Sequence, residues 1–161
     1  MKRFLKEYLP YILIIVLIIL IRTFVVTPVR VRGTSMDDTL KEGQILLLFK
    51  QSNFGKEDIV VVSEEVEGSR IIKRIIGVPG DTIKCIDNII YINNEKYDDK
   101  YANNPTSDFD EITLKDDEYF VLGDNRKVSE DSRYFGPVKE KYIVGKANFI
   151  IFPFNKFGIV D

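Results

Sequence analysis

The sequence predicts a mainly β domain, a barrel or folded sheet of many short strands, preceded by one N-terminal transmembrane helix. The helix is predicted by an apolar run at residues 11–21. The β domain is predicted by a period-two pattern beyond the run, where Val29 and Val31 alternate with Arg30 and Arg32. Further β-rich runs, divided by Gly, Asn, Asp and Pro, lie at residues 44–50, 58–63, 69–77, 82–86, 89–93, 118–122 and 146–151.

The apolar segment divides the chain into a cytoplasmic N-terminus (1–8), a transmembrane anchor (9–26) and an extracytoplasmic domain (27–161). As a helix rising about 1.5 Å per residue, the anchor would reach about 27 Å, close to the hydrocarbon thickness of a bilayer. Basic residues precede it, which predicts a single-pass cell-membrane protein with its N-terminus inside: Lys2, Arg3 and Lys6. The alternatives are a cleaved signal peptide or a hydrophobic hairpin buried against a partner. Residues 21–32 contain no Ala, Ser or Gly for a cleavage site, which favours the retained anchor.

Composition excludes several classes of function. The formal net charge of −2 gives no basic surface for nucleic acid. The one cysteine, Cys85, cannot form an internal disulfide, and we expect it to be a small buried hydrophobe in a strand. Because the chain has no histidine, we expect no metal site and no cofactor, and a Ser-His-Asp triad is excluded.

The first candidate cluster is GTSMDDTLKEG at residues 33–43. A serine in this turn, Ser35, can present its hydroxyl at the end of a strand, with its own N–H pointing into an oxyanion hole. A serine nucleophile without histidine requires another base, and lysine is the usual one. The alternative is that Ser35 only bonds the local backbone, as most turn serines do.

The second cluster is IIKRIIGVPGD at residues 71–81. Strand alternation sends Lys73 and Arg74 to opposite faces, and isoleucines surround Lys73 on both sides. An amine on an apolar face loses hydration, which lowers its pKa and allows it to accept a serine proton. The alternative is that both cations reach water from an edge strand.

The third cluster is GDNRKVSEDSRYFGPV at residues 123–138, which predicts a structured loop with internal hydrogen bonds. Asp131 and Arg133 have the spacing of an ion pair, and Ser129 or Ser132 could bond a buried amine. The alternative is a solvated charged loop, as we also expect for the acidic residues 98–117.

Taken together, the anchor and the ordered motifs GTSMDDTL, KRIIGVPGD and GDNRKVSEDSR resemble the bacterial type I signal peptidases of the short Gram-positive type. These membrane-bound serine endopeptidases remove signal peptides from exported preproteins. The resemblance implies that Ser35 is the nucleophile and Lys73 the general base of a Ser-Lys dyad. It implies that Ser129 orients the amine, with Asp131 and Arg133 as a supporting ion pair.

The resemblance also implies an SH3-like β-fold with a hydrophobic surface near the membrane. A substrate would bind as an extended strand, with small residues at the first and third positions before the cut. The implied partners are signal peptides of secreted preproteins, the lipid bilayer and the secretion translocon. The implied pocket residues are Val29, Val31, Met36, Leu40, Leu46, Val61 and Ile72.

Two positions depart from the family pattern. Asp38 stands where proline is usual, and Gly33 where some members carry a hydroxyl that assists the oxyanion.

Two alternative functions remain: a non-catalytic assembly factor for surface polymers such as pili, which Asp38 favours, and a self-cleaving regulator. The intact Ser35 and Lys73 oppose the first, and the anchor and the absence of a DNA-binding domain oppose the second.

Overall fold

A computed structural model describes the backbone of residues 2–24, 26–50 and 53–160, and the side chains of residues 8–19, 26–50 and 53–160. The chain opens with a helix, α1 (Lys2–Phe24). Within the described residues, no helix has both the length and the apolar character that crossing a membrane requires. The anchor at residues 9–26 therefore stays a prediction. Residue 25 and the side chains of Lys2, Arg3 and Lys6 lie outside the described residues.

The rest of the chain is mainly β, as predicted. The strands are β1 (Val26–Arg30), β2 (Ile45–Phe49), β3 (Ile59–Val62), β4 (Ile71–Gly77), β5 (Thr82–Ile86), β6 (Ile89–Ile92), β7 (Glu95–Lys96), β8 (Phe109–Thr113), β9 (Glu118–Leu122), β10 (Val138–Lys139), β11 (Ile143–Phe152) and β12 (Gly158–Ile159). The short helices are α2 (Glu64–Glu67) and α3 (Ser132–Phe135), with 3₁₀ turns at Glu140–Tyr142 and Phe154–Lys156.

The strands form two sheets. The larger has the order β1-β2-β11-β3-β4-β9-β10, with β12 paired to β11, and it curls into a half-barrel. The smaller has the order β7-β6-β5-β8. Neighbouring strands pair antiparallel, so each strand of the larger sheet can turn one row of side chains inward.

Period-two alternation explains how β4 contributes to two separate cores. Ile72 packs against a cluster inside the curled sheet that includes Leu46 and Val61. Ile71 and Ile75 pack on the opposite side, against a second cluster. Lys73 and Arg74 therefore leave the same strand in opposite directions, between apolar neighbours on both faces.

Six of the seven further β-rich runs contain an observed strand, and the seventh, residues 146–151, lies within the longer β11. The solvated loop predicted at residues 98–117 is wrong in part, because it contains β8. Phe109 stacks on Phe120 of β9 with ring centroids 5.1 Å apart, so this segment packs in spite of its acidic neighbours. The strand expected to lead to Ser35 ends at Arg30, five residues earlier.

Candidate active site

Ser35 begins a turn that is fixed on both sides. Gly33 adopts the left-handed φ of +75°, which redirects the chain after β1. The next residue, Met36, is 2% exposed and its carbonyl accepts the Leu40 N–H at 2.8 Å. Ser35 itself is half-buried. The apolar residue behind it therefore anchors the turn and leaves the serine on the accessible side.

A second contact orients the peptide group of Ser35. Asn125 Nδ2 donates to the Thr34 carbonyl at 3.3 Å, and the Asn125 N–H donates to the Ser35 carbonyl at 3.0 Å. The Thr34 carbonyl belongs to the same rigid peptide plane as the Ser35 N–H. Asn125 thus fixes the direction of the N–H that the sequence indicates as the oxyanion donor.

Lys73 is nearly buried in β4, with 3% of its surface exposed. Its Nζ donates to Ser129 Oγ at 3.0 Å. Burial lowers the pKa of Lys73 from 10.5 to about 8, and the Arg133 charge acts in the same direction, against Asp131. About a tenth of the amine is therefore neutral at pH 7, roughly 300 times more than for an amine with a pKa of 10.5.

The loop after β9 holds Ser129 in place. Arg133 pairs with Asp131 through two hydrogen bonds, of 2.8 and 2.9 Å, and also donates to the Ser129 carbonyl at 3.2 Å. Asp131 accepts the Gly123 N–H at 3.1 Å. Of the two candidate serines, Ser129 meets the amine, whereas Ser132 Oγ accepts the Val121 N–H at 3.0 Å.

One cavity of about 370 Å³ brings the two candidate catalytic residues together. Its lining residues are Gly33, Thr34, Ser35, Glu67, Ser69, Ile71, Lys73, Val128 and Glu130. Within the described residues, Ser35 and Lys73 are not hydrogen-bonded to each other; such contacts often tighten only when substrate is bound. The Ser35 hydroxyl group and the largely desolvated Lys73 amine therefore line the same small cavity.

A larger cleft of about 810 Å³ adjoins this cavity and shares Ser35 with it. Val29, Val61 and Ile72, three of the seven residues expected to line pockets, lie on its walls. The other four are in the hydrophobic core beneath it: Val31, Met36, Leu40 and Leu46. They support the cleft from behind rather than forming its surface.

Asp38, the residue that departs from the family pattern, points to solvent with 80% of its side chain exposed. Its carboxylate accepts a hydrogen bond from Lys41 Nζ at 3.0 Å, and this contact lowers the pKa of Asp38. The charge is therefore paired with an exposed lysine at the surface.

Sequence reasoning assigned no role to residues 123–126, yet they frame the site. A Cβ on Gly123 would lie 2.5 Å from the Ser35 carbonyl oxygen and closer still to Ser129 Oγ, so only glycine fits there. Asp124 binds the buried Arg74, and Arg126 binds Asp99. The sequence feature that could have indicated this role is the run Gly-Asp-Asn-Arg directly after a buried apolar strand.

Comparison with known proteins identifies similar chains. The chain matches the family described as signal peptidase, peptidase S26, over residues 3–152. It is 36% identical, over an alignment of 177 positions including gaps, to a Signal peptidase I of Bacillus licheniformis, covering 99% of this chain and 95% of that protein. It is 34% identical, over an alignment of 198 positions including gaps, to a Signal peptidase I of Streptococcus pneumoniae, covering 98% of this chain and 97% of that protein.

A solved structure is also similar. The crystal structure of a signal peptidase I from Enterococcus faecalis V583 matches with a TM-score of 0.52 and 34% sequence identity. The match covers 58% of this chain and 96% of that one.

Proposed function

Because the chain belongs to the signal peptidase family, peptidase S26, we propose that it is a membrane-bound serine endopeptidase that cleaves signal peptides from exported preproteins with a Ser35-Lys73 dyad. Family membership makes it a serine peptidase. The observation that carries the dyad is the buried amine of Lys73, which bonds Ser129 at 3.0 Å and lines one cavity with Ser35.

In the proposed reaction, the neutral amine of Lys73 accepts the hydroxyl proton as Ser35 Oγ attacks the scissile carbonyl. The Ser35 N–H stabilises the oxyanion, in the orientation that Asn125 gives its peptide plane. The protonated lysine then gives its proton to the leaving amine, and an ester remains on Ser35. Water hydrolyses this ester with Lys73 again as the base, which restores the serine hydroxyl.

A substrate strand has a place beside the dyad. In the part of the chain that the structure describes, β1 pairs with one strand, β2, so its other edge has no partner strand. On the edge of β4 that faces β9, strand pairing begins at Arg74, so the residues of β4 before Arg74 have no partner strand on that edge. The cleft lies between β1 and residues 68–72, so an inserted strand could pair with both edges. We propose that such a strand extends the half-barrel toward the SH3-like barrel that the resemblance implies.

Side-chain alternation then determines specificity. The first and third residues before the cut would face the apolar wall formed by Val29, Val61 and Ile72. Alanine fits such a wall, whereas phenylalanine would clash and lysine would leave a buried charge. We therefore expect a preprotein with alanine at both positions to be cleaved, and efficient cleavage directly after Phe or Lys would contradict this assignment.

The location of the site fits a substrate held in the bilayer. From Thr27 to Thr34 an extended chain spans at most about 28 Å, so Ser35 cannot lie far from the end of α1.

The proposed membrane topology has its own test. If residues 9–26 are the anchor, protease added to intact protoplasts should digest the domain that follows. Full protection of that domain would contradict an extracytoplasmic location.

The dyad is tested by incubating the detergent-solubilised full-length chain with a preprotein and measuring initial rates. Wild-type protein should cleave at one position, and both Ser35→Ala and Lys73→Arg should abolish cleavage. A guanidinium remains protonated at any usable pH, so arginine preserves the charge but removes the base. Substantial cleavage by Lys73→Arg would remove Lys73 from the mechanism, and an inert wild-type chain would favour a non-catalytic role.

A further inference from the structure

Two exposed arginines, Arg30 and Arg32, stand on the rim of the large cleft. They alternate with Val29 and Val31, whose side chains pack on the core inside the curled sheet. Arg30 and Arg32 therefore project from the opposite face. Among the described residues, neither guanidinium forms an ion pair, although both belong to the walls of a cleft that reaches Ser35.

Charge is distributed unevenly along the site. The large cleft is lined by Arg30, Arg32 and Arg70 against a single acid, Glu64, which lies 3.5 Å from Arg70. The adjoining cavity, by contrast, has two acids, Glu67 and Glu130, beside Lys73. The excess positive charge is thus confined to the part of the site that holds the apolar wall for residues before the cut.

Strand geometry relates these arginines to particular substrate residues. In a strand inserted beside β1, residues one and three before the cut face the same side as Val29. Residues two and four then face the same side as Arg30 and Arg32. Oppositely charged side chains on adjacent strands attract when they share a face, and like charges repel.

We propose that Arg30 and Arg32 select substrates that carry Asp or Glu at the second or fourth position before the cut. The inference rests on the proposed function and specifies its substrate class. Anionic lipid headgroups are the other chemistry that could meet these arginines, since β1 follows α1 directly. The peptide is favoured because the arginines line the same cleft as Ser35 and the apolar wall.

The experiment uses full-length protein in neutral detergent and three otherwise identical preproteins with Glu, Gln or Lys at positions two and four. The value of kcat/KM should fall from Glu to Gln to Lys, by about fivefold at each step, the scale of exposed ion pairs. Raising the ionic strength should reduce the difference, because salt screens exposed charges.

The variant Arg30→Glu/Arg32→Glu should reverse the order and cleave the Lys substrate best, which a merely structural role would not produce. The matched control is Lys96→Glu, an exposed residue of the smaller sheet, which should keep the wild-type order.

The outcomes separate the two proposals. Cleavage of all three substrates at equal rates, abolished by Ser35→Ala, would leave the proposed function intact and overturn the charge preference. Cleavage of none would overturn both. In a second arm, wild-type protein and the double variant are compared in vesicles with and without phosphatidylglycerol. If the double variant lowers all three rates equally, and does so only in vesicles containing phosphatidylglycerol, the arginines contact lipid and the preference is also overturned.

Discussion

Lys73 and Arg74 are adjacent in β4, face opposite sides and are almost equally buried, at 3% and 2% exposed. Their partners differ. The Arg74 guanidinium donates to both carboxylate oxygens of Asp124, at 3.0 and 2.8 Å, and to the Glu57 carbonyl at 2.8 Å. It also lies 3.5 Å from the ring centre of Tyr101. Among the described residues, the Lys73 side chain has one hydrogen bond, to the Ser129 hydroxyl.

The comparison shows how one strand can hold a structural cation next to a reactive amine. Burying a charge costs free energy unless an opposite charge and hydrogen bonds compensate it. Arg74 has that compensation, whereas the carboxylate near Lys73, Asp131, is bound by Arg133. Burial therefore dominates at Lys73 and lowers its pKa to about 8. At equal burial, the difference in partners leaves the charge of Arg74 compensated and that of Lys73 largely uncompensated. Only the lysine can use this chemically, because an amine can give up its proton whereas a guanidinium keeps it at any usable pH.

The largest effect should come from truncating each cation to methionine. Arg74→Met leaves Asp124 buried without its partner, so we expect the free energy of unfolding to fall by about 3–5 kcal/mol. Lys73→Met should act in the opposite direction. Because the pKa of Lys73 is lower in the folded state than in the unfolded state, carrying the ammonium costs the fold free energy, and below about pH 8 most folded chains carry it. Removing it should stabilise the fold at pH 7 by up to about 3 kcal/mol.

Both stabilities are measured by urea unfolding of the full-length chain in detergent. The stabilising effect of Lys73→Met should shrink as the pH rises from 8 toward 10.5, where wild-type Lys73 is neutral in the fold. Equal destabilisation by the two variants would show that Lys73 is compensated as fully as Arg74.

The next effect concerns the glycine that separates the two candidate catalytic segments. In Gly123→Ala the new methyl group would press on Ser129 Oγ and on the Ser35 carbonyl. Displacing a catalytic group by about 1 Å can reduce the reaction rate about 100-fold, so kcat should fall by roughly that factor. Gly55→Ala is the matched control, since its Cβ would meet only Asp58 Oδ2, at 3.9 Å. Wild-type kcat in Gly123→Ala would mean that Ser129 does not need its present position.

The strands were largely predictable because short apolar runs with period two identify them locally. The burial of Lys73 was predictable for the same reason, from the isoleucines around it. The Arg74–Asp124 pair was not, since it joins residues 50 positions apart and no local pattern encodes that contact. The resemblance indicated seven pocket positions but not how deeply each side chain is buried. Four of the seven lie in the core: Val31, Met36, Leu40 and Leu46.

An effect of similar size is expected from pH. If neutral Lys73 is the base, kcat/KM should rise about tenfold per pH unit below its pKa of about 8 and level off above it. The sign follows from protonation, because acid converts the amine into an ammonium that cannot accept the serine proton. Initial rates from pH 6 to 9, at constant ionic strength, test this. A flat profile across that range would contradict the assignment of the base.

The smallest effect should follow from Asp38→Pro, which restores the residue usual in the family. In the described part of the chain the Asp38 N–H donates no hydrogen bond that proline would remove. The lost contact is an exposed pair with Lys41, which water and salt screen. Asp38 is also absent from the charges that shift the pKa of Lys73, which include Asp131, Glu130 and Glu67. The cleavage rate should therefore change by less than about tenfold, or ~1.4 kcal/mol in the barrier. If the wild-type chain were folded but inert, and Asp38→Pro restored cleavage by orders of magnitude, this aspartate would be what separates the chain from active signal peptidases.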